Sequence, residues 1–422
     1  MGCGKAAEHG SDCSRKPAGR LVECGLELEL QAALGLFRLV RSAIILTAGF
    51  GEGHNAAARG LTEGFAALGD MHPEALDLFT PAFGSFYQKM RRDYIDVVNK
   101  SPGTWAAVYS GAEHLPFISL ILKNLWPLKR ELVTALRKWQ PAAVIAVYPA
   151  YGYVLEAAAQ EAGLLDLKRY ILITDSITVH PVWHRCDADT FMVPNEDTAN
   201  VLYQRGIDRS RVLVSGFPVS PRYAVERPVR EDPLERPRVL YMINGQPGRA
   251  ISLVERLLRE DKVELTATTG RDEALKSELE ALAKRLQKPL KVLGWIDNMP
   301  DLLRSNHLLI GKAGGATVQE TLAAGTPMLI TQILPGQEEG NARLLLQNGC
   351  GASCPTNEAV LETLSSLFAN GAQGWHQMKR HVCALGRPDA ATSIARWVWK
   401  KVQSIEDAPN FGFGLRPNNP PD

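Results

Sequence analysis

Two glycine-rich turns in this chain carry the residues best suited to chemistry. The longer is GKAGGATVQETLAAGTPMLITQILPGQEEGN, from Gly311 to Asn341. His307 to Ile310 ahead of it is a short apolar run that reads as a buried strand. Gly314 and Gly315 let the backbone turn tightly and approach a ligand. Ala316 to Ala324 has helical composition, and Gly325-Thr326-Pro327 ends it. Main-chain N–H groups at such a helix start lack partners, and the helix dipole favours an anion there. A diphosphate fits that chemistry. Glu320, about one turn into the helix, can bond neutral hydroxyls but would repel a phosphate beside it. Gln337-Glu338-Glu339 follows the next strand. Phosphate donors, a carboxylate one turn on, then amide and carboxylate groups together suggest a nucleotide sugar. A plain strand-to-helix turn has similar composition, and pattern alone leaves both readings open. A Walker A loop is excluded, because Ala313 follows Lys312 and the glycine spacing differs.

The second turn is SAIILTAGFGEGHN. Ser42 to Thr47 reads as a parallel strand, Gly49, Gly51 and Gly53 make the turn, and His54 opens a helix ending at Gly69. The glycine spacing is not the dinucleotide fingerprint, and no ribose-binding acid stands out after a second strand. Two further strands, Ala142 to Pro149 and Arg169 to Thr174, place Asp175 at a carboxyl end. His180-Pro181-Val182-Trp183 follows. Ligand residues in open α/β sheets cluster outside the carboxyl ends of strands. His54, Asp175 and the His180–Trp183 segment are therefore expected around one crevice. A neutral imidazole serves as a general base near pH 7, which nominates His54. Asp175 is the alternative base, or the group that orients the histidine. Simple helix or loop capping is the competing explanation for each. His180 and His184 lack a third ligand and make a weak metal pair.

The elements needed to position these groups fit a two-domain α/β protein. The chain has 422 residues with 45% hydrophobic composition, enough for two packed cores. Lys and Arg total 47 against 46 Asp and Glu, so nothing global points to nucleic acid. Seven cysteines without a framework suit a reducing compartment. Residues 1–40 read as an appendage. Met1-Gly2-Cys3 lacks the Ser or Thr of a myristoylation signal at Ala6, and Leu21 to Val40 carries too many charges to span a bilayer. Between residues 82 and 139, aromatic and aliphatic residues mix with Lys123, Lys129, Arg130, Arg137 and Lys138. That pattern fits a helix at a membrane interface or an amphipathic core helix with a solvated basic face. Val212 to Gly216 closes the first sheet. Pro218 to Pro237 reads as a linker, and residues 405–422 as a disordered tail.

Taken together, Gly311–Asn341, Gly49–His54, Thr174-Asp175 and His180–Trp183 resemble the monogalactosyldiacylglycerol synthase and processive diacylglycerol glucosyltransferase family. The family is related to the undecaprenyl-linked N-acetylglucosaminyltransferase of peptidoglycan synthesis, and the resemblance covers roughly residues 41–395. It implies a GT-B fold, two Rossmann-like parallel-sheet domains facing a central cleft: 41–217 for the acceptor and membrane, 238–404 for the UDP-sugar. It also implies an inverting transfer of a hexose from a UDP-sugar to a lipid alcohol, with diacylglycerol as acceptor. A transferase of N-acetylglucosamine to a prenyl-linked or lipid A-type acceptor, a sugar-nucleotide epimerase and a silent UDP-sugar sensor stay open beside it. The resemblance assigns Gly245, Gly314, Gly315, Ala316, Thr317, Glu320, Gln337, Glu338 and Asn341 to the donor. Gly53, His180 and Trp183 fall on the acceptor side. Backbone near Trp295-Ile296 would border the uracil. No DxD-type metal motif appears, so the helix terminus is expected to stand in for a cation, with no cofactor beyond the donor. The turn Asn244–Gly248 has fewer glycines than the family's donor loop, and Pro247 removes one N–H. The plant-type Asp-Thr is replaced by Gly49-Phe50, so no role of that Asp carries over. The implied setting is cytoplasmic, on the anionic inner face of the cell membrane, and the oligomeric state is left open.

Overall fold

The computed structural model describes residues 41–100, 103, 111, 118–225, 236–336 and 338–404. The expected appendage (1–40), the TWAAVYS helix (104–110), most of the linker (226–235), Gln337 and the tail (405–422) lie outside the described residues.

The first half runs β1 (Arg41–Thr47), α1 (Glu52–Leu68), β2 (Met71–Asp77), α2 (Phe79–Lys100), α3 (Ile118–Lys123), α4 (Trp126–Trp139), β3 (Ala143–Ala146), α5 (Leu155–Ala162), β4 (Lys168–Leu172), β5 (Thr190–Val193), α6 (Glu196–Gln204) and β6 (Val212–Val214). The second runs β7 (Arg238–Met242), α7 (Pro247–Glu260), β8 (Glu264–Thr268), α8 (Glu273–Leu286), β9 (Lys291–Leu293), α9 (Met299–Arg304), β10 (Leu308–Lys312), α10 (Gly315–Ala324), β11 (Met328–Gln332), α11 (Glu339–Gln347), β12 (Gly351–Ser353), α12 (Asn357–Leu385) and α13 (Ala390–Gln403).

Each half is built on a six-stranded sheet, with order β2-β1-β3-β4-β5-β6 in the first and β12-β11-β10-β7-β8-β9 in the second. Every pairing is parallel. Both faces of such sheets are covered by helices, which is why the central strands are continuous apolar runs such as Ala43–Leu46 and Leu308–Ile310, all fully buried. Strand order reverses between β1 and β3 in the first sheet and between β7 and β10 in the second. Ligands of open α/β sheets bind outside the carboxyl ends at such reversals. The fold thus provides two crevices, and each glycine-rich turn opens into one of them.

β2 has no counterpart in the sequence reading. It is an edge strand, MHPEALD, with only Met71 buried and Pro73 in its middle. Proline is tolerated at an edge, and neither alternation nor an apolar run marks such a strand. The last helix returns to the first half. α13 packs on α1, Trp397 meets Tyr170 edge-on at 5.4 Å, and Arg41 donates to Val402 O at 3.0 Å. The residues between 82 and 139 divide. α4 buries Leu128, Leu132, Val133, Ala135 and Leu136 and is a core helix, whereas α3 buries nothing.

Candidate active site

The first crevice is built by the loops after β1, β3 and β4. Phe50 seals the β1 turn by stacking on Tyr148, with ring centroids 5.5 Å apart, and by edge contacts to Phe79 and Tyr87. Asp77, at the end of β2, accepts from Gly49 N at 3.2 Å, Tyr87 Oη at 3.0 Å and Phe79 N at 2.9 Å. Its oxygens fasten the turn, so its strand-end position is spent on structure. Together these contacts fix the start of α1.

His54 sits in the first turn of α1. Its Nδ1 lies 2.8 Å from Val147 O and 3.2 Å from Thr174 Oγ1. A carbonyl only accepts, so Nδ1 carries the proton and Nε2 keeps its lone pair. Tyr148 meets the ring edge-on and Trp183 flanks it, with centroids at 5.1 and 5.9 Å. Burial among these rings pulls the imidazole pKa down to about 4, against a partial rise from the bond to Val147. His54 is therefore neutral at pH 7. Asp175 follows Thr174 and accepts from Trp183 Nε1 at 2.7 Å. Burial pushes its carboxyl up to about 6, with the indole bond opposing.

His54, Asp175 and the His180–Trp183 segment are thus brought together, with internal roles that differ from the sequence expectation. Val147 and Thr174 orient the His54 ring, the task offered to Asp175. Trp183 is 2% exposed, so it holds Asp175 from behind and offers an acceptor no free face. His180 is 7% exposed, and its Nδ1 accepts from Val182 N at 3.2 Å. His184 turns to Arg205 at 2.9 Å. Gly53 faces open space. Val147 and Tyr148 were missed by sequence reasoning, and Thr174 was singled out only within the Thr174-Asp175 resemblance, with no role. Val147 acts only through its carbonyl, so no side-chain signal exists, but Thr174 directly precedes Asp175 at a strand end.

The second crevice lies between the turns after β7 and β10. Gly314 starts α10 without a side-chain cap, and the first N–H groups of a helix have no partner within it. Those of Gly315, Ala316 and Thr317 are the expected anion donors. A Cβ built on Gly314 would lie 3.7 Å from Thr317 Oγ1 and 3.8 Å from both Glu338 Oε1 and Lys312 Cε. These groups therefore converge at one turn. Lys312 Nζ pairs with Glu338 Oε1 at 3.0 Å, and Glu338 Oε2 accepts from Leu334 N at 3.0 Å. The carboxylate expected on sugar hydroxyls is, in this structure, 4% exposed and engaged by these two groups. Asn341 donates to Ala313 O at 3.3 Å, and its Oδ1 is buried without a partner. Gly245 takes φ 88°, a conformation favouring glycine. It lines a small polar pocket with Asn244, Arg249, Lys312 and Thr331. Pro247 is already the first residue of α7. Trp295 is half exposed under Arg271, whose guanidinium carbon lies 4.5 Å from the ring centre.

Glu320 faces α1 and the Pro221–Tyr223 turn. Burial lifts its carboxyl to about 7, moderated by Arg59. The crevices meet at Thr174, since a Cβ built on Gly315 would lie 3.5 Å from Thr174 O. The uncapped start of α10 and the Thr174 anchor of His54 are therefore neighbours. Among the described residues no three His, Cys, Asp or Glu side chains gather to hold one metal ion.

Comparison with known proteins agrees with this geometry. Residues 54–219 match the monogalactosyldiacylglycerol (MGDG) synthase family, and residues 248–393 match the glycosyltransferase family 28 C-terminal domain. A probable chloroplastic monogalactosyldiacylglycerol synthase of Glycine max is 26% identical over 393 residues, covering 88% of this chain and 73% of the relative. The processive diacylglycerol beta-glucosyltransferase of Bacillus subtilis is 25% identical over 373 residues, covering 86% and 96%. Among solved structures, MurG of Acinetobacter baumannii superposes with a TM-score of 0.54 at 17% identity, covering 85% of this chain and 99% of that one. Sequence matches on both halves and a shared two-sheet architecture converge on a GT-B glycosyltransferase whose first half matches the monogalactosyldiacylglycerol synthase family and whose second half matches the glycosyltransferase family 28 C-terminal domain.

Proposed function

We propose that the protein transfers a hexose from a UDP-sugar to the free hydroxyl of diacylglycerol, with inversion at the anomeric carbon, on an anionic membrane surface facing the cytoplasm. The observation that carries this reading is the meeting of the two crevices at Thr174. A neutral imidazole with a free Nε2 stands beside the start of an uncapped helix.

The diphosphate lies against the N–H groups of Gly315, Ala316 and Thr317, which stabilise charge as UDP leaves. Lys312 adds a positive group at the same turn. Glu320 accepts from ribose hydroxyls. The acceptor oxygen gives its proton to His54 Nε2 as it attacks the anomeric carbon, the glycosidic bond forms and the bond to the diphosphate breaks. A bound diphosphate favours the imidazolium, so donor binding raises the basicity of His54 from its low resting value. Asp175, ionised above about pH 6, adds negative potential to the same crevice.

For the membrane, support comes from Phe86, Met90, Leu120, Ile121 and Trp126, all exposed large apolar side chains on α2, α3 and the start of α4. Lys89, Arg92 and Lys123 are exposed on the same helices. Apolar anchors beside basic residues match an anionic interface. No helix among the described residues is long and apolar enough to cross a membrane.

The test is incubation with UDP-glucose, UDP-galactose and UDP-N-acetylglucosamine and diacylglycerol vesicles, read by mass spectrometry. A hexosyl-diacylglycerol is the expected product. A product on a prenyl-linked lipid only, or an epimerised nucleotide sugar, would replace this reading.

A further inference from the structure

Ile177 stands in the left-handed backbone region, with φ 62°. A β-branched residue adopts it only where its surroundings over-determine it. Thr198 Oγ1 accepts from Ile177 N at 2.9 Å, and Thr198 is held by Asn195, the cap of α6. On either side of Ile177 the chain reaches across to the donor half. Gln319 Nε2 on α10 donates to Ser176 Oγ at 3.2 Å, and Gly340 N on α11 donates to Thr178 Oγ1 at 3.1 Å. Gly340 allows this contact by its lack of a side chain. A Cβ there would fall 1.8 Å from Ser176 O and 2.5 Å from Thr178 N. The same short segment begins at Thr174, which holds the His54 ring, and contains Asp175.

We infer that residues 174–178 form a positioning strap: docking of α10 and α11 against Ser176 and Thr178 sets the His54 ring and Asp175, so the proton-accepting geometry is complete only when the donor half is seated. The strap rests on the reading of His54 and Asp175 as the proton-handling groups. Ser176, Thr178, Gln319 and Gly340 are positioning residues, because they act through those groups. The strain at Ile177 gives the segment a second conformation to fall back to. Once the contacts of Ser176 and Thr178 are lost, the backbone relaxes toward an ordinary region and carries Asp175 with it. Glycine at position 340, inside the donor signature, thereby has a task distinct from ligand contact.

The experiment uses the full chain, with UDP-sugar and diacylglycerol vesicles for kinetics and UDP for calorimetry. Thr178→Val keeps the shape and removes the acceptor. It should lower kcat about tenfold, the change expected from losing roughly one hydrogen bond's free energy. UDP affinity should hold within about twofold and Thr178→Ser should restore the rate. Gly340→Ala should act in the same direction and more strongly. In a His54→Ala background, Thr178→Val should lower kcat no further, because both changes remove one step. Unchanged kcat in Thr178→Val beside a disabled His54→Ala overturns the strap alone. Equal further loss in the His54→Ala background overturns it too. Wild-type kcat in both His54→Ala and Asp175→Asn overturns the reading of the pair, and the strap with it. If Gly340→Ala fails to fold, the Thr178 variants carry the test.

Discussion

The two crevices occupy equivalent places, each at a reversal of strand order, yet they are furnished in opposite ways. Around His54 the walls are rings: Phe50, Tyr148 and Trp183. Charge there is disfavoured, and both titratable groups shift toward their neutral forms. Around Gly314 the walls are main chain, hydroxyl and an ion pair between Lys312 and Glu338. A dry aromatic pocket tunes proton affinity by desolvation. A glycine turn with a bare helix start binds anions without needing any side chain. On the proposed reading, one scaffold repeated twice divides proton chemistry from phosphate binding, and variants in the two crevices should separate turnover from donor affinity.

The largest effect should come from the aromatic side. His54→Ala is expected to lower kcat by about 10²–10⁴, with UDP binding by calorimetry nearly unchanged. Loss of UDP affinity in this variant would break the division of labour. The pH profile sharpens it. Asp175 must ionise to contribute, so kcat/KM should rise with pH through about 6. Asp175→Asn should erase that limb and leave a lower one set by His54. An unmoved limb would take Asp175 out of the chemistry.

Next comes the polar side. Glu320→Ala should weaken UDP binding by roughly 1–3 kcal/mol through lost ribose hydrogen bonds, leaving turnover at saturating donor within a few-fold. Unchanged UDP affinity would assign Glu320 to its contacts with α1 and the Tyr223 turn instead.

How far the sequence revealed these crevices follows the same division. The glycine turns and the helix starts were legible, because backbone chemistry leaves glycines in the sequence, whereas the ribose role expected of Glu320 is left to its variant. His54, Asp175 and Trp183 were legible as residues in the segments that follow β1 and β4. Their connections were not. Val147 contributes a carbonyl that any residue would supply, and the Glu338–Lys312 pair joins residues from two different strand ends. β2 was hidden because an edge strand with Pro73 needs no apolar pattern. The basic residues on α3 and α4 could not be sorted without burial, since solvated and paired lysines look alike in sequence.

A smaller effect concerns stability, and its sign again separates the sites from ordinary surface. Asp175 is lifted from 3.8 to about 6 and Glu320 from 4.5 to about 7, chiefly by burial. A group whose folded pKa is raised favours folding below its unfolded pKa, and that contribution is lost as pH rises through the folded value. His54 has the reverse sign, with folded pKa about 4, so its burial becomes unfavourable as pH falls from 6.5 toward 4. Asp175→Asn should then raise Tm at pH 8 by about 2–4 °C and leave it unchanged at pH 3.5. A uniform shift at both pH values would point to packing and not to charge.

The smallest effect is expected at the surface of the first half. Lys129 pairs with Glu161 at 2.8 Å, and Arg130 pairs with Glu131 at 3.0 Å while lying over Trp126. Neutralising these two should change vesicle binding little. Lys123 is exposed beside Leu120 and Ile121, which are 63% and 54% exposed. Charge at Lys123 and apolar area at Ile121 are therefore among the groups this face would offer a membrane. Lys123→Ala with Ile121→Ser should reduce cosedimentation with anionic vesicles about two- to fivefold at low salt, and less at high salt. UDP affinity should not move, because no donor group lies on α3. Equal cosedimentation at low salt would place the membrane contact elsewhere on the chain. A change in UDP affinity would mean that the two halves are coupled through more than the segment after β4.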